Sequence, residues 1–294
     1  NETDQALTFT VTANTNPALF AASAQPSVTS AGTLTFTPTA DAHGTATLTL
    51  QLADDGYGAD TSPTQSFTIT VLAVNDAPVN TVLPEVSGTY TVGGTLTATS
   101  GTWSDDNDGK LGALTYAWQW QSATDSSGAG LQMLDTGVSY TPVSAVSHHF
   151  VRALVTVTDT DASGIATAQA ASVWTLVENT KPVITEMDAT LTTNEDTANT
   201  LTLHATDSDA DTLTWSASTP TKGAASVADG VITYTPDTDA NGSDSFTVTV
   251  SDGFGGTASL DVAVTITGIN DTPSFTVGDN QTVTEDSGTQ TVTN

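Results

Sequence analysis

Gly230-Val-Ile-Thr-Tyr-Thr-Pro-Asp-Thr-Asp-Ala-Asn-Gly242 has a counterpart early in the chain, Gly32-Thr-Leu-Thr-Phe-Thr-Pro-Thr-Ala-Asp-Ala-His-Gly44. The offset from Gly44 to Gly242, 198 residues, holds throughout. It continues through Leu48–Leu52 against Phe246–Val250 and ends with Asp54 against Asp252. A looser copy in the middle runs from Tyr140-Thr-Pro142 through Leu154–Val157 to Asp159. Self-similarity at this spacing marks a chain of repeated units. The aromatic-Thr-Pro element is expected to be a fixed station in each unit, its ring in the core and its proline ending a strand.

The segments around this station alternate with period two. Leu7-Thr-Phe-Thr-Val11, Phe67-Thr-Ile-Thr-Val71, Phe246-Thr-Val-Thr-Val250 and Leu260-Asp-Val-Ala-Val-Thr-Ile266 each place apolar residues on one side and small or polar ones on the other. That pattern predicts half-buried antiparallel strands, and β-branched threonine suits a pleated surface. Gly, Asn, Asp and Pro interrupt the strands at the spacing of a sandwich. No amphipathic helix is legible; Ala162–Ala171 reads as turn plus strand because Gly164 and β-branched residues interrupt it. The fold class is therefore all-β, with tandem antiparallel β-sandwiches expected in an elongated rod.

Linkers repeat as well. Val74-Asn-Asp-Ala-Pro78 and Ile269-Asn-Asp-Thr-Pro273 are nearly identical, and Glu178-Asn-Thr-Lys-Pro182 is a variant with Thr180 in place of Asp. Each proline opens the next unit in an extended conformation. The boundaries give complete units at 77–179 and 180–270. Residues 1–75 are expected to lack the first strands of a sandwich. Residues 272–294 are expected to begin another, because Glu285-Asp-Ser-Gly-Thr289 repeats Glu195-Asp-Thr-Ala-Asn199.

Composition narrows the function. The 294 residues carry 33 Asp plus Glu against 4 Lys plus Arg, a formal net charge of −29. Such a surface repels nucleic acid and anionic membranes. Its natural neutraliser is a hard divalent cation, and Ca²⁺ prefers carboxylate and carbonyl oxygen. The absence of cysteine excludes disulfides, thiol catalysis and Cys-type zinc sites. No apolar run reaches the roughly 20 residues of a membrane helix, and no signal peptide opens the sequence. There is no Gly-x-Ser-x-Gly elbow, His-Glu-x-x-His or phosphate loop, so the expectation is a protein that is not an enzyme.

Asn75-Asp-Ala-Pro78, Asn194-Glu-Asp-Thr197, Asp207-Ser-Asp-Ala-Asp211, Tyr234-Thr-Pro236, Gly242-Ser-Asp-Ser-Phe246 and Ser251-Asp-Gly253 together resemble the bacterial cadherin-like tandem repeat, nearly end to end over 180–270. Residues 77–179, with Gly101-Thr-Trp103, Tyr116-Ala-Trp-Gln-Trp120 and Val155-Thr-Val-Thr-Asp159, resemble a related bacterial Ig-like repeat. The resemblance implies the large secreted, RTX-type adhesins and surface proteins of Gram-negative bacteria. There such repeats are spacers between an anchor and a distal tip, in cell adhesion and biofilm formation. It also implies an extracellular or cell-surface location, with neighbouring repeats as partners.

Asp207, Asp209 and Asp211 form the strongest metal candidate, by their i, i+2, i+4 spacing. At ~4 Å each carboxylate pair would repel by roughly 4 kcal/mol at an effective dielectric of 20, so a cation is expected among them. They do not form an EF-hand, because Thr212 and Ser218 stand where Gly and Glu are required. By resemblance, Asp252 at the end of a late strand and the linker around Asn179 share the calcium, and Thr180 weakens the linker's part. Glu195 and Asp196 match an acidic first-strand motif that faces a domain junction. Asn75-Asp76 and Asn270-Asp271 are the intact linker sites. For Asp105, Asp106 and Asp108, calcium and a plain solvated turn remain alternatives.

Trp118 and Trp120 share a strand face, near Trp103 in sequence; core packing is favoured over a sugar platform. His148 and His149, adjacent on an expected strand, point apart and cannot readily share a metal. His204 reads as a strand residue. The leading functional expectation is a calcium-stiffened extracellular spacer. The alternatives are a carbohydrate- or cell-binding module, and a filament subunit joined head to tail by donation of the 272–294 strand.

Overall fold

The computed structural model describes residues 5–56, 60–104 and 113–292. The chain divides into two compact units, Asn1–Asn179 and Thr180–Asn294. Among the described residues no helix is long and apolar enough to cross a membrane.

The first unit holds two strand systems. In the earlier one, β1 (Thr8–Asn14), β2 (Gly44–Ala53) and β3 (Gln65–Val71) form an antiparallel sheet in the order β1-β2-β3. Its core gathers Leu19, Phe20, Ala46, Leu48 and Ile69. In the later one, β4 (Thr115–Ala123), β5 (Gln132–Thr136), β6 (Phe150–Asp161) and β7 (Gly164–Ala171) are ordered β5-β4-β6-β7. A three-stranded sheet of Val86–Gly88, Leu96–Ala98 and Ser139–Tyr140 belongs to the same system. Trp120 and Tyr140 stack between them, ring centroids 5.4 Å apart, in a core with Leu96, Val151, Ala153 and Val177.

The second unit is a sandwich. β8 (Ala189–Asn194), β9 (Thr214–Ala217), β11 (Gly242–Ser251) and β12 (Thr257–Thr267) form one sheet in the order β8-β12-β11-β9, with β10 (Val231–Pro236) in the facing sheet between Asn199–Thr202 and Gly223–Ala228. β8 pairs with β12 in parallel, Ala189 opposite Val262 through Asn194 opposite Thr267; the other ladders of both sheets are antiparallel. Tyr234 and Phe246 stack across the core at 5.9 Å. Gly32 and Gly230, which open the matching stretches, both have positive φ, 82° and 79°. A Cβ at Gly230 would stand 2.3 Å from the Leu203 carbonyl, so glycine is required there by backbone conformation and by space.

The aromatic-Thr-Pro station is not uniform. Tyr140 and Tyr234 are buried as expected, but Phe36 is 38% exposed and packs edge-on against Phe20. Tyr234 is covered because Asn199–Thr202 pairs alongside it, whereas Leu34–Thr35 pairs with Ser27–Val28 alone. Two histidine expectations also change. His148 lies in a turn with φ 59°, not in a strand, and His204 sits between strands, its ring 2.8 Å from Glu186.

Candidate metal centres

Period-two alternation delivers a carboxylate to the end of each long inner strand. On β6, Val151, Ala153, Val155 and Val157 face inward and are fully enclosed, and Asp159 is the next residue in that phase. On β11, Asp244, Phe246, Val248 and Val250 face inward and Asp252 follows one step past the strand. Both terminal aspartates are therefore buried by the geometry of the pleat, and not by any apolar character of their own.

The surroundings of Asp159 are unusual. Its relative exposure is 0%, and among the described residues neither carboxylate oxygen has a hydrogen-bond partner. Asn75 lies against it, its Nδ2 donating to the carbonyls of Asp159 and Gly164, both at 3.3 Å. The Asn75 Oδ1 is likewise buried without a partner. Three buried oxygens thus lack a partner among the described residues where a linker meets the end of a strand. An uncompensated carboxylate in such a place costs several kcal/mol, which a bound cation removes. The donors are all hard oxygens, the set that Ca²⁺ takes.

In the second unit the acidic run converges. Oxygens of Asp207, Asp209 and Asp211 lie within 4.8 Å of one another. They occupy a turn in which Ala210 takes φ 62°. Asp207 Oδ1 accepts the backbone N–H groups of Asp209 at 2.8 Å and Asp211 at 3.5 Å, while its Oδ2 is buried without a partner among the described residues. Asp209 is 3% exposed, and its Oδ2 accepts both the N–H and the hydroxyl of Thr180 at 2.6 Å. Thr180 thus anchors Asp209, a role that its departure from the linker pattern concealed. Asp252 lies outside the converging group. Its Oδ1 accepts the N–H groups of Phe254 and Gly256, and its Oδ2 is so close that a Cβ on Gly256 would meet it at 2.0 Å.

A second convergence lies elsewhere in the same unit, where Asp196, Asp239 and Asp271 come within 4.8 Å of one another, all exposed. The backbone N–H of Asp239 reaches Asp196 Oδ1 at 3.4 Å. Glu195, by contrast, is buried, and its Oε1 accepts the N–H of Ile269. Local desolvation and then the charges of Asp239, Glu195 and Asp196 hold the Asp271 carboxyl above the usual range. Asn270 Nδ2 donates to the Asp271 carbonyl at 3.3 Å. In the first unit Asp76 lines a cavity of about 260 Å³ with Asp41 and His43. Asp105, Asp106 and Asp108 lie outside the described residues.

Two ligand candidates, Asp159 and Asp239, were not singled out from sequence. The signal was present for both: Asp159 continues an apolar period-two phase, and Asp239 matches Asp41 at the 198-residue offset. The tryptophans pack. Trp103 and Trp120 are buried, their indole N–H groups donating to the carbonyls of Ser100 and Gly137, and the Trp174 ring lies 4.3 Å from the Arg152 guanidinium.

Residues 179–265 match the bacterial Ig domain family. No curated protein matches the chain. Among solved structures it is similar to protocadherin gamma B2 extracellular cadherin domains 1–5 (13% identity, 90% of this chain and 54% of that one, TM-score 0.39). It is similar also to human CDH23 EC21–23 (17%, 88% and 89%, TM-score 0.42) and to mouse protocadherin-24 EC1–3 (16%, 90% and 90%, TM-score 0.36). The chain spans about half the length of that protocadherin gamma B2 structure.

Proposed function

We propose that this chain is a non-enzymatic spacer segment of an extracellular bacterial adhesin or surface protein, whose repeats take up Ca²⁺ and are stiffened by it. The observation that carries the reading is Asp159, a fully enclosed carboxylate with neither oxygen partnered among the described residues, set against the linker residue Asn75. Three further features support it: the convergence of Asp207, Asp209 and Asp211, the exposed trio Asp196, Asp239 and Asp271, and a charge of −29. The bacterial Ig domain at 179–265 supports the extracellular assignment. The sugar-binding alternative loses its aromatic platform, because Trp103 and Trp120 are enclosed in cores.

Bound cation would act by linkage: a ligand held only by the folded state stabilises it, by about 2.7 kcal/mol at a concentration of 100 times Kd. Calorimetric titration of the metal-stripped chain with Ca²⁺, together with melting in Ca²⁺ and in chelator, tests this. The expected result is saturable binding and a higher Tm with Ca²⁺. Identical melting curves and no heat of binding would reject the calcium reading.

A further inference from the structure

We infer that the solvent face of β4, β5 and β6 around Arg152 is a docking site for a peptide segment of a partner protein in which a carboxylate stands beside apolar side chains. The inward face of this sheet is fixed by Trp120 on β4 and by Val151, Ala153 and Val155 on β6. The opposite phase points away from that core and carries Gln121 on β4, and Phe150, Arg152 and Leu154 on β6. Elsewhere the chain gives such positions to hydroxyls, as at Thr45, Thr47 and Thr49 on β2 and at Thr247 and Thr249 on β11. β6 itself returns to hydroxyls at Thr156 and Thr158. Apolar side chains grouped on a solvent face among polar ones mark an interaction surface.

Cross-strand register gathers the group. Arg152 lies opposite Gln121, and Gln121 lies opposite Met133. On the other side of β6, Val151 pairs with Thr175 and Phe150 with Leu176, which brings Trp174 beside Arg152. The Arg152 guanidinium stands 4.3 Å from the centroid of the Trp174 ring, and its Nε–H donates to Gln121 Oε1 at 2.8 Å. Gln121 Nε2 donates in turn to Met133 Sδ at 3.4 Å. Gln121 is only 2% exposed although it belongs to the solvent face, so its neighbours cover it. The arginine is thus held in one orientation between an aromatic ring and a covered amide. Met133 and Leu176 flank it, 61% and 40% exposed.

The arrangement lacks an anion. The chain has 33 Asp plus Glu and a single arginine, yet among the described residues no carboxylate pairs with Arg152. Burial pushes the guanidinium below its ordinary pKa, and no neighbouring charge offsets it. Gln121 takes only the Nε–H, which leaves the Nη–H donors at the far end of the fork. The indole N–H of Trp174, unlike those of Trp103, Trp118 and Trp120, has no acceptor among the described residues. A guanidinium preset on an aromatic ring suits a carboxylate, which its planar fork takes bidentately. The apolar flank suits an aliphatic or aromatic side chain next to that carboxylate. Shape selects a peptide over a small molecule, because the face of a pleated sheet is shallow and small-ligand sites are concave and enclose most of the ligand. The charge of −29 does not forbid the contact: at about 0.15 M salt exposed charges are screened beyond about 8 Å, so the local guanidinium governs. None of the carboxylates of the calcium reading takes part, so the two stand or fall separately.

Because the chain has a single arginine, the Arg152 Nε–H gives its own signal in a nitrogen-15 NMR spectrum of the full chain. The probes are acetyl-Ser-Phe-Glu-Leu-Ser-amide and its Gln counterpart, titrated in chelator at about 0.15 M salt. The Glu peptide is expected to shift the Arg152 Nε–H and the Trp174 indole N–H saturably, and to bind about tenfold or more tightly than the Gln peptide. Arg152→Gln should abolish that preference, as read at the Trp174 indole. Leu176→Ser changes an exposed position and should weaken the Glu peptide by about threefold or more through lost apolar contact. No shift, equal binding of the two peptides, a preference retained in Arg152→Gln, or unchanged affinity in Leu176→Ser would overturn the inference. So would sodium acetate or phenylbutyrate binding as tightly as the Glu peptide, which would make this a site for a small acid.

Discussion

The Tyr234 hydroxyl donates a 2.7 Å hydrogen bond to Asp244 Oδ2 inside the core of the second unit, and the matching positions of the first repeat, Phe36 and Ala46, lack both partners. The pair is gained or lost together within one chain, as expected of two groups that are each costly to bury alone. Asp244 also accepts N–H groups from Thr221, Lys222 and Ser245 and the Thr221 hydroxyl, so it ties the 221–222 turn to β11. Tyr234→Phe is expected to cost about 1 kcal/mol, and Asp244→Ala about 2–4 kcal/mol. The double variant Tyr234→Phe/Asp244→Ala recreates the arrangement of the first repeat. It should cost less than the sum, by 0.5 kcal/mol or more in a denaturant-based double-mutant cycle. Strict additivity would show that the bond contributes nothing.

Acid should erode the second unit through two carboxylates. Burial raises the Asp244 carboxyl, but hydrogen bonds from Tyr234, Thr221 and Lys222 outweigh it and hold the group well below the usual range. The backbone N–H of His204, and then its ring, lower Glu186 to about 2. A carboxylate depressed in the folded state contributes stability above its unfolded pKa, and that contribution fades as pH falls through the folded value. Unfolding free energy should therefore be level above about pH 4.5 and decline toward pH 2. Glu186→Gln should lower the plateau and flatten part of that decline, its curve converging with the parent's toward pH 2, as followed by urea melts at each pH. An unaltered slope would remove Glu186 from the account.

Asp159→Asn should invert its effect with metal. In chelator the substitution removes an unpaired buried charge, so the variant is expected to melt several degrees above the parent chain. In saturating Ca²⁺ the parent gains binding energy that the variant lacks, and the order reverses. Scanning calorimetry in both buffers checks the crossing. A variant less stable in both would make Asp159 a packing residue.

Thr180→Val keeps the shape of the side chain and deletes the hydroxyl bond to Asp209 Oδ2. By freeing the carboxylate it orients, the substitution is expected to weaken Ca²⁺ at the Asp207–Asp211 turn by 10-fold or more, the scale of an outer-shell partner. Stability in chelator should fall by about 1 kcal/mol. Competitive titration with a chromophoric chelator separates the two effects, and unchanged affinity would limit Thr180 to the fold.

Much of this molecule is written in local pattern. Alternation in Phe246–Val250 and Leu260–Ile266 places strands and their buried faces, because side chains on a pleated strand change sides at every residue. The Asp207–Asp211 spacing likewise brings three carboxylates together, because a turn is a local object. Tertiary structure decided what depends on partners distant in sequence. Asp159 looks like any turn-flanking aspartate until Asn75, 84 positions earlier, closes over it. Asp239 joins Asp196 and Asp271 only when three segments meet. Phe36 and Tyr234 occupy the same place in one repeat pattern, yet one ring is exposed and the other enclosed, because Tyr234 has paired strands on both sides whereas Leu34–Thr35 pairs with Ser27–Val28 alone. Periodicity determines which way a side chain points. What it meets there, solvent, a core or a buried carboxylate, is settled by chain that returns from far away.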